Sequence, residues 1–90
     1  MTENPEQPQL EFPLFFPLKI IGEEADDFET FVLEIVRRHV PDLLDENITS
    51  RLSSGNKYRS ISVEFFAQTR AQVDELCSEL SKHKRIKVLL

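Results

Sequence analysis

The chain has 90 residues, of which 40% are apolar, with 16 acidic and 11 basic residues, a net charge of −5 and a single cysteine. This length makes one domain, and the longest apolar stretch, seven residues over 12–18, is far shorter than the roughly 20 that a transmembrane helix needs. One cysteine excludes an internal disulfide, and an acidic N-terminus does not have the order of a secretory signal, so a small cytoplasmic domain is predicted.

The first residues differ in composition from the rest. Residues 1–9 contain two prolines and polar side chains, which predicts a flexible N-terminal tail followed by a single domain over residues 10–90. The apolar run that follows contains Pro13 and Pro17, which disfavour a helix. We expect an extended lead-in, a strand over about 18–22 with Pro17 at its first position, and a turn at Gly22.

The next segment has the pattern of an amphipathic helix. Apolar residues recur at helical spacing, and acidic residues precede a last turn that carries two arginines and His39. Pro41 ends the pattern. The sequence predicts a helix over about 24–39.

Two strands joined by a turn come next. Residues 45–52 are mostly polar and predict an edge strand. Residues 53–56 are a turn signal, Ser-Ser-Gly-Asn, and we expect a hairpin loop of three to five residues. Residues 58–67 alternate between apolar and polar positions, which predicts a half-buried strand.

A second helix and a last strand complete the chain. Thr69 is a candidate N-cap, with Gln72 three residues later in a capping-box pattern. The apolar stripe of Val73, Leu76, Cys77 and Leu80 follows, and the helix should end near residues 82–83. Residues 85–90 alternate again and predict the fourth strand.

The order β-α-β-β-α-β predicts an α+β fold, the ferredoxin-like plait. In this fold two helices cover one face of a four-stranded antiparallel sheet, with the first and third strands in the middle. The predicted core residues are Leu18, Ile20, Phe28, Val32, Ile35, Ile61, Val63, Phe65, Val73, Leu76, Leu80, Ile86 and Val88.

The other face of the sheet has no helix over it. Its expected residues are Lys19, Ile21, Ser60, Ser62, Glu64, Phe66, Lys87 and Leu89. If the apolar members Ile21, Phe66 and Leu89 cluster, they form an exposed patch of the kind that marks a contact surface. Alternatively, the segment around Phe12, Phe15 and Phe16 folds back and covers them, and the sequence leaves both possibilities open.

Reactive residues do not form a recognisable active site. Cys77 lies in a helical apolar stripe and is expected to be a small buried hydrophobe. His39 is expected to bond the last helical carbonyls, and His83 lies in a basic run that is typical of a solvated surface. Metal-ligand spacing, a P-loop and a nucleophile elbow are all absent from the sequence. We therefore expect no enzyme activity, no catalytic or metal-binding residues and no cofactor.

Charge is divided along the chain, with a net charge of −9 over residues 1–50 and +4 over residues 51–90. The basic half includes Lys84, Arg85 and Lys87, a candidate contact surface for nucleic acid. The third strand lacks the aromatic pattern of RNA-recognition motifs, and Glu64 would repel phosphate. An acidic protein partner or a second copy is therefore favoured. The carboxylates at 23–27 complement the helix dipole, or alternatively bind a ligand with an amino group.

Several stretches of the chain resemble the YbeD-like family of uncharacterised bacterial proteins. They are Glu11-Phe12-Pro13, Lys19-Ile20-Ile21-Gly22, Val36-Arg37-Arg38-His39-Val40-Pro41, Ser53-Ser54-Gly55-Asn56-Lys57-Tyr58-Arg59-Ser60-Ile61-Ser62-Val63 and Val88-Leu89-Leu90. The resemblance implies a plait similar to ACT domains, small regulatory modules that bind amino acids, and a cytosolic protein. In ACT domains the ligand lies near the first strand–helix turn at a subunit interface, and the matching position here is Gly22.

These observations lead to one functional hypothesis and an alternative. The hypothesis is a small non-enzymatic regulatory or adaptor domain, ACT-like, that acts by protein contact or self-association and can also bind a small ligand. Its candidate ligand or interface residues are Gly22, Ile21, Phe66 and Leu89. The alternative is a nucleic-acid-binding module that uses Lys84, Arg85 and Lys87.

Overall fold

The computed structural model describes residues 11–90, so the predicted tail over 1–9 lies outside the described residues. Its elements in chain order are β1 (Leu14–Glu23), α1 (Phe28–His39), a 3-10 helix (Asp45–Asn47), β2 (Ile48–Leu52), β3 (Tyr58–Ala67), α2 (Arg70–Ser81) and β4 (Ile86–Leu89). The order of strands and helices is the predicted one.

The four strands form one antiparallel sheet in the order β2-β3-β1-β4. The two central strands pair without a break from Leu14 opposite Ala67 to Glu23 opposite Tyr58. Buried residues of β1, β3, α1 and α2 form a single cluster between the helices and the sheet. The ferredoxin-like plait is confirmed.

The predicted core is confirmed in every element except β4. The fully buried side chains with the largest volumes are Phe28, Ile20, Ile35, Ile61, Leu76, Leu80, Val32, Val36 and Val63. In β4, Ile86 is only partly buried against this core, and Val88 is 41% exposed. The assignment of Val88 to the core was therefore wrong.

A β-bulge explains the error in β4. Ile86 lies opposite Gly22, whereas Val88 lies opposite Ile21, so β4 contains one extra residue at this point. Because successive side chains of a strand alternate between faces, one extra residue reverses the alternation beyond it. Leu89, opposite Ile20, consequently packs against the core, and the expectation that it lies on the open face was also wrong.

Strand β1 is longer than predicted, and Pro17 lies inside it. The Lys19 N–H donates to the Leu90 carbonyl at 3.1 Å, so the backbone of Lys19 points toward β4. Backbone groups two residues apart in a strand point the same way, and the nitrogen of Pro17 therefore points to the space beyond Leu90. No ladder hydrogen bond is lost there, which is why a central strand accepts proline. Gly22 lies within this strand and does not form the predicted turn.

Helix α1 begins later than predicted but ends as predicted. Asp27 is its N-cap residue, without a side-chain cap, because the Asp27 carboxylate pairs with Arg85. The helix ends at His39, ahead of Pro41. Residues 24–27, which carry three of the acidic side chains, therefore form a turn in front of the helix.

The remaining local predictions are largely confirmed. The Thr69 hydroxyl caps α2 by accepting from the Gln72 N–H at 3.2 Å, while the Gln72 side chain accepts from the Gln68 N–H at 2.8 Å. The hairpin loop covers residues 53–57, and Asn56 adopts a left-handed φ of 57°. Strand β2 begins at Ile48, later than predicted, because the residues before it form the 3-10 helix.

Candidate interaction surface

The two central strands extend beyond both edge strands at one end of the sheet. Pairing of β2 with β3 ends at Val63, and the backbone hydrogen bonds along the other edge of β1 end at Lys19, which bonds Leu90. Residues 14–17 and 64–67 still pair with each other beyond those points. They form a two-stranded projection whose outer face is open.

An aromatic pair occupies the open face of this projection. Phe15 and Phe66 lie directly opposite each other, with ring centroids 5.5 Å apart and an interplanar angle of 65°. Their exposed fractions are 59% and 46%. Phe12 and Phe16 pack against the core on the helix side. The segment around Phe15 and Phe16 is thus part of the sheet, which rules out the alternative that it folds back over the open face.

A cleft of about 140 Å³ lies beside the aromatic pair. The floor of the cleft is formed by the buried residues Val40, Leu43 and Phe65. At the surface it is bordered by Leu44, which is 54% exposed, and by Phe15 and Phe66. Its polar lining residues are Asp42, Asn47 and Glu64. We call this cleft and the two aromatic rings the aromatic end of the sheet.

Ile21, Phe66 and Leu89, which the sequence allowed to form one cluster, do not come together. Ile21 lies six positions along β1 from Phe15, about 20 Å at the usual rise per residue. Its cross-strand neighbour on the open face is Val88, and Leu89 faces the core. The open face therefore has two separate apolar regions.

A broad polar groove of about 450 Å³ lies between these two regions. Lys19, Thr49, Ser62 and Glu64 line it from three strands. This volume lies within the range of roughly 300–1,000 Å³ that is usual for small-molecule sites, although its floor is an exposed sheet.

Gly22 is buried, and protein atoms fill the space beside it. A Cβ at this position would lie 2.3 Å from the Arg85 carbonyl oxygen and 2.5 Å from a ring carbon of Phe28. Glycine thus permits the close approach of β4 and of the first helical residue. This packing gives Gly22 a structural role.

Two arginines pair with two of the carboxylates in the acidic turn that follows β1. Arg59 donates from Nε and Nη2 to the Glu24 carboxylate at 2.7 and 3.1 Å, and its Nη1 donates to Ser50 at 2.6 Å. Arg85 donates to both oxygens of Asp27 at 2.7 and 3.1 Å. These hydrogen bonds lower the pKa of Glu24 and of Asp27 below the ordinary carboxyl range. Neither carboxylate is free for a ligand with an amino group.

The predicted basic surface is likewise largely occupied. Arg85 lies 4.5 Å over the ring of Phe31 in addition to its ion pair, and the Lys87 amine lies 3.8 Å from a Glu23 oxygen. Lys84 is exposed and forms no ion pair with another described residue. Three basic residues of the second half, Arg59, Arg85 and Lys87, therefore pair with acidic residues of the first half.

The histidines and the cysteine lie in the helical layer. His39 Nε2 lies 2.7 Å from Glu79, and the His39 carbonyl accepts from the Gln72 side chain at 2.8 Å. Side-chain pairing thus replaces the expected bond to helical carbonyls. The His83 ring meets the Phe31 ring edge-on at 5.0 Å and is half-buried, not fully solvated. Cys77, expected to be buried, is only partly buried against the core, and this burial raises the pKa of its thiol.

Two members of the aromatic end were missed by sequence reasoning. Phe15 lies in an apolar run whose two prolines obscured the strand. Leu44 lies in a loop, where no periodic pattern of apolar residues predicts which way a side chain faces. Within residues 11–90, no three side chains of metal-ligating type come together, and no helix is long and apolar enough to cross a membrane.

Comparisons with known proteins agree with the fold. The family model described as "Protein of unknown function (DUF493)" matches residues 7–90. A UPF0250 protein of Chromobacterium violaceum is 40% identical over 84 residues, which cover 93% of this chain and 94% of that protein. This confirms the resemblance to the YbeD-like family.

Solved structures share the architecture at low identity. A solution structure of a Helicobacter pylori protein superposes with a TM-score of 0.70 at 14% identity, over 100% of this chain and 94% of that one. The ACT domain from GTP pyrophosphokinase of Chlorobium tepidum superposes with a TM-score of 0.68 at 12% identity, over 86% and 83%. The ACT-like fold is thereby confirmed.

Proposed function

The chain belongs to the family described as "Protein of unknown function (DUF493)", and we propose that it is a small non-enzymatic regulatory or adaptor domain of the cytoplasm. In this proposal it acts by binding another protein through the aromatic end of its open sheet face. The exposed contact between Phe15 and Phe66 is the observation that carries the proposal.

The aromatic pair is unusual for a surface that only faces water. Single exposed apolar residues are common on proteins, whereas adjoining ones beside an apolar cleft mark contact surfaces. Phe15, Phe66 and Leu44 are each about half exposed and border one cleft. Burying them against a partner would remove apolar area from water at about 25 cal/mol per Å².

A non-enzymatic role is supported by how the reactive groups are used. The Cys77 thiol has a raised pKa and packs against the core, which disfavours the thiolate that a nucleophile needs. His39 is held by Glu79, and His83 contacts Phe31. Each of these groups is explained by packing or pairing within the helical layer.

The fold and the charge pattern also favour protein binding over the alternatives. The ACT domain that this chain resembles is part of an enzyme chain, which supports an accessory role here. A small ligand, if one binds, would fit the polar groove on the open face better than the filled space at Gly22. No specific observation favours nucleic acid, since Arg85 and Lys87 are engaged with carboxylates.

A comparison of two glutamate variants tests the proposal. Phe66→Glu places a charge in the aromatic end, and Val88→Glu places one on the same face, at a side chain of similar exposure, 41%, at the other end. Affinity-tagged proteins, shown to be folded by circular dichroism, would be used to recover partners from host lysate with quantitative mass spectrometry. We expect a partner that the wild type and Val88→Glu retain and Phe66→Glu loses. Equal recovery by both variants, or no partner above background, would overturn the proposal.

A further inference from the structure

We propose that the cleft at the aromatic end receives one large apolar side chain from a basic segment of the partner protein. This inference rests on the proposed function and adds the chemistry of the partner. Three properties of the cleft support it: its size, its lining and its charge.

The size of the cleft fits a side chain and not a metabolite. Its volume of about 140 Å³ is below the range of roughly 300–1,000 Å³ of small-molecule sites. An apolar cavity of about 150 Å³ is known to hold a benzene-sized group. The cleft therefore has room for the ring of one phenylalanine or for a leucine.

The lining of the cleft suits an anchor residue. Val40, Leu43 and Phe65 form an apolar floor that is 2%, 7% and 2% exposed, and these residues belong to the core. Leu44 and Phe66 border the cleft at the surface and are about half exposed. A side chain that enters such a site packs on a preformed apolar surface, as is typical of the few residues that dominate the energetics of an interface.

The two charged side chains that line the cleft, Asp42 and Glu64, are both acidic, and the third polar one, Asn47, is uncharged. The adjoining groove is lined by Glu46 and by Lys19. None of these three carboxylates forms an ion pair with another residue of the described chain, unlike Glu24, Asp27 and Glu79. None of the described residues that line the cleft is a lysine or an arginine. Charge complementarity therefore selects a segment with Lys or Arg beside its apolar residue.

The same charges disfavour a symmetric dimer through this surface. A two-fold packing of two clefts would bring Asp42 and Glu64 of both copies into one interface without a counter-charge. Within the basic run over residues 82–87 of a second copy, the one apolar residue, Ile86, packs against the core, and Arg85 is paired with Asp27. A different protein with a flexible basic segment fits better.

Designed peptides provide the direct test. The probe is a nine-residue peptide with a central Phe, two Lys on each side and Gly-Ser ends. One matched peptide replaces Phe by Ala, and another replaces the four Lys by Glu. Titrations followed by amide chemical shifts of the ¹⁵N-labelled full chain report both affinity and location.

We expect the basic Phe peptide to shift the amides of Leu44, Glu64 and Phe66, and to bind at least about tenfold more tightly than either matched peptide. Salt should weaken its binding. Glu64→Gln should weaken binding of the basic peptide about threefold and leave the preference for Phe over Ala intact. Glu75→Gln, on the exposed side of α2, is the control and should change nothing.

Three outcomes would overturn the inference. They are equal binding of the acidic and basic peptides, shifts located elsewhere, and a wild-type dimer in sedimentation that Phe66→Glu abolishes. If the peptides fail while partner recovery still depends on Phe66, the basic-segment chemistry is wrong and the proposed function stands. If recovery is also independent of Phe66, the proposed function is wrong as well.

Discussion

The Arg85 guanidinium holds the Asp27 carboxylate through two hydrogen bonds, at 2.7 and 3.1 Å, although the residues are 58 positions apart in the chain. The pair joins the segment before β4 to the start of α1. The same guanidinium lies 4.5 Å over the Phe31 ring. A residue that looked like part of a basic binding surface is thus a clamp between two elements.

Replacing Arg85 by Lys should lower the melting temperature even though the charge is kept. Lysine cannot form the two-pronged bond to Asp27, and it stacks less well on Phe31. Thermal unfolding monitored by circular dichroism checks this. The control is Lys84→Gln, which removes a neighbouring exposed charge and should leave the melting temperature unchanged. A lower melting temperature for the control alone would contradict the clamp.

Gly22→Ala should destabilise the fold by about 1–3 kcal/mol or more, because the new methyl group meets a backbone oxygen at 2.3 Å. Gly55→Ala is the matched control. Its added methyl group has no atom within 4 Å, and Gly55 does not have a positive φ. We expect the control to be neutral or to stabilise the fold by about 0.4–1 kcal/mol, because alanine lowers the conformational entropy of the unfolded chain. Urea unfolding measures both, and equal values would be inconsistent with the packing at Gly22.

The bulge in β4 predicts opposite results for two adjacent residues. Leu89→Thr should cost about 1–3 kcal/mol, because it removes apolar packing and brings a hydroxyl next to the core. Val88→Thr keeps a β-branched side chain on the open face and should change stability by less than about 0.5 kcal/mol. If urea unfolding shows a larger loss of stability for Val88→Thr than for Leu89→Thr, then Val88 faces the core, as the unbroken alternation of the sequence predicted.

Acid should weaken the fold partly through Glu24. The hydrogen bond from Arg59 lowers the folded-state pKa of Glu24, so the pair stabilises the protein above the ordinary glutamate pKa of about 4.3. That stabilisation is lost as the pH falls through the lowered pKa of the folded state. In Arg59→Gln, the drop in the free energy of unfolding between about pH 6 and pH 2 should therefore be smaller than in the wild type.

Arg70→Gln is the control for this pH profile. Arg70 pairs with Asp74 at 3.7 Å, and the two side chains are 76% and 68% exposed, so the pair should contribute little. The profile of this variant should follow the wild type. If Arg59→Gln also follows the wild type, Glu24 does not contribute to acid stability.

The elements that the sequence predicted well are those whose signal is local. The alternation over residues 58–67 contains no proline and gave both the bounds and the buried face of β3. Thr69 and Gln72 marked the start of α2 through a short-range pattern. Such signals depend on neighbours in the chain, which a single sequence contains.

The errors arose where distant parts of the chain decide the outcome. The predicted faces of Val88 and Leu89 are the reverse of the observed ones, because the bulge exists only in the pairing with β1. Pro17 lies inside β1 and not at its predicted place at the strand start, because its tolerance there depends on where β4 ends. For the candidate site, Phe66 followed from alternation, whereas Phe15 and Leu44 required the three-dimensional arrangement.

The most direct test of the account is site-specific photo-cross-linking in the native host. A benzophenone side chain would replace Phe66 in one protein and Val88 in a matched control, and the cross-linked segment would be sequenced by mass spectrometry. We expect an adduct from position 66 and not from position 88, in a partner segment that carries a large apolar residue flanked by Lys or Arg. Adducts to an acidic segment, to a second copy of this chain, or equally from both positions would contradict the account.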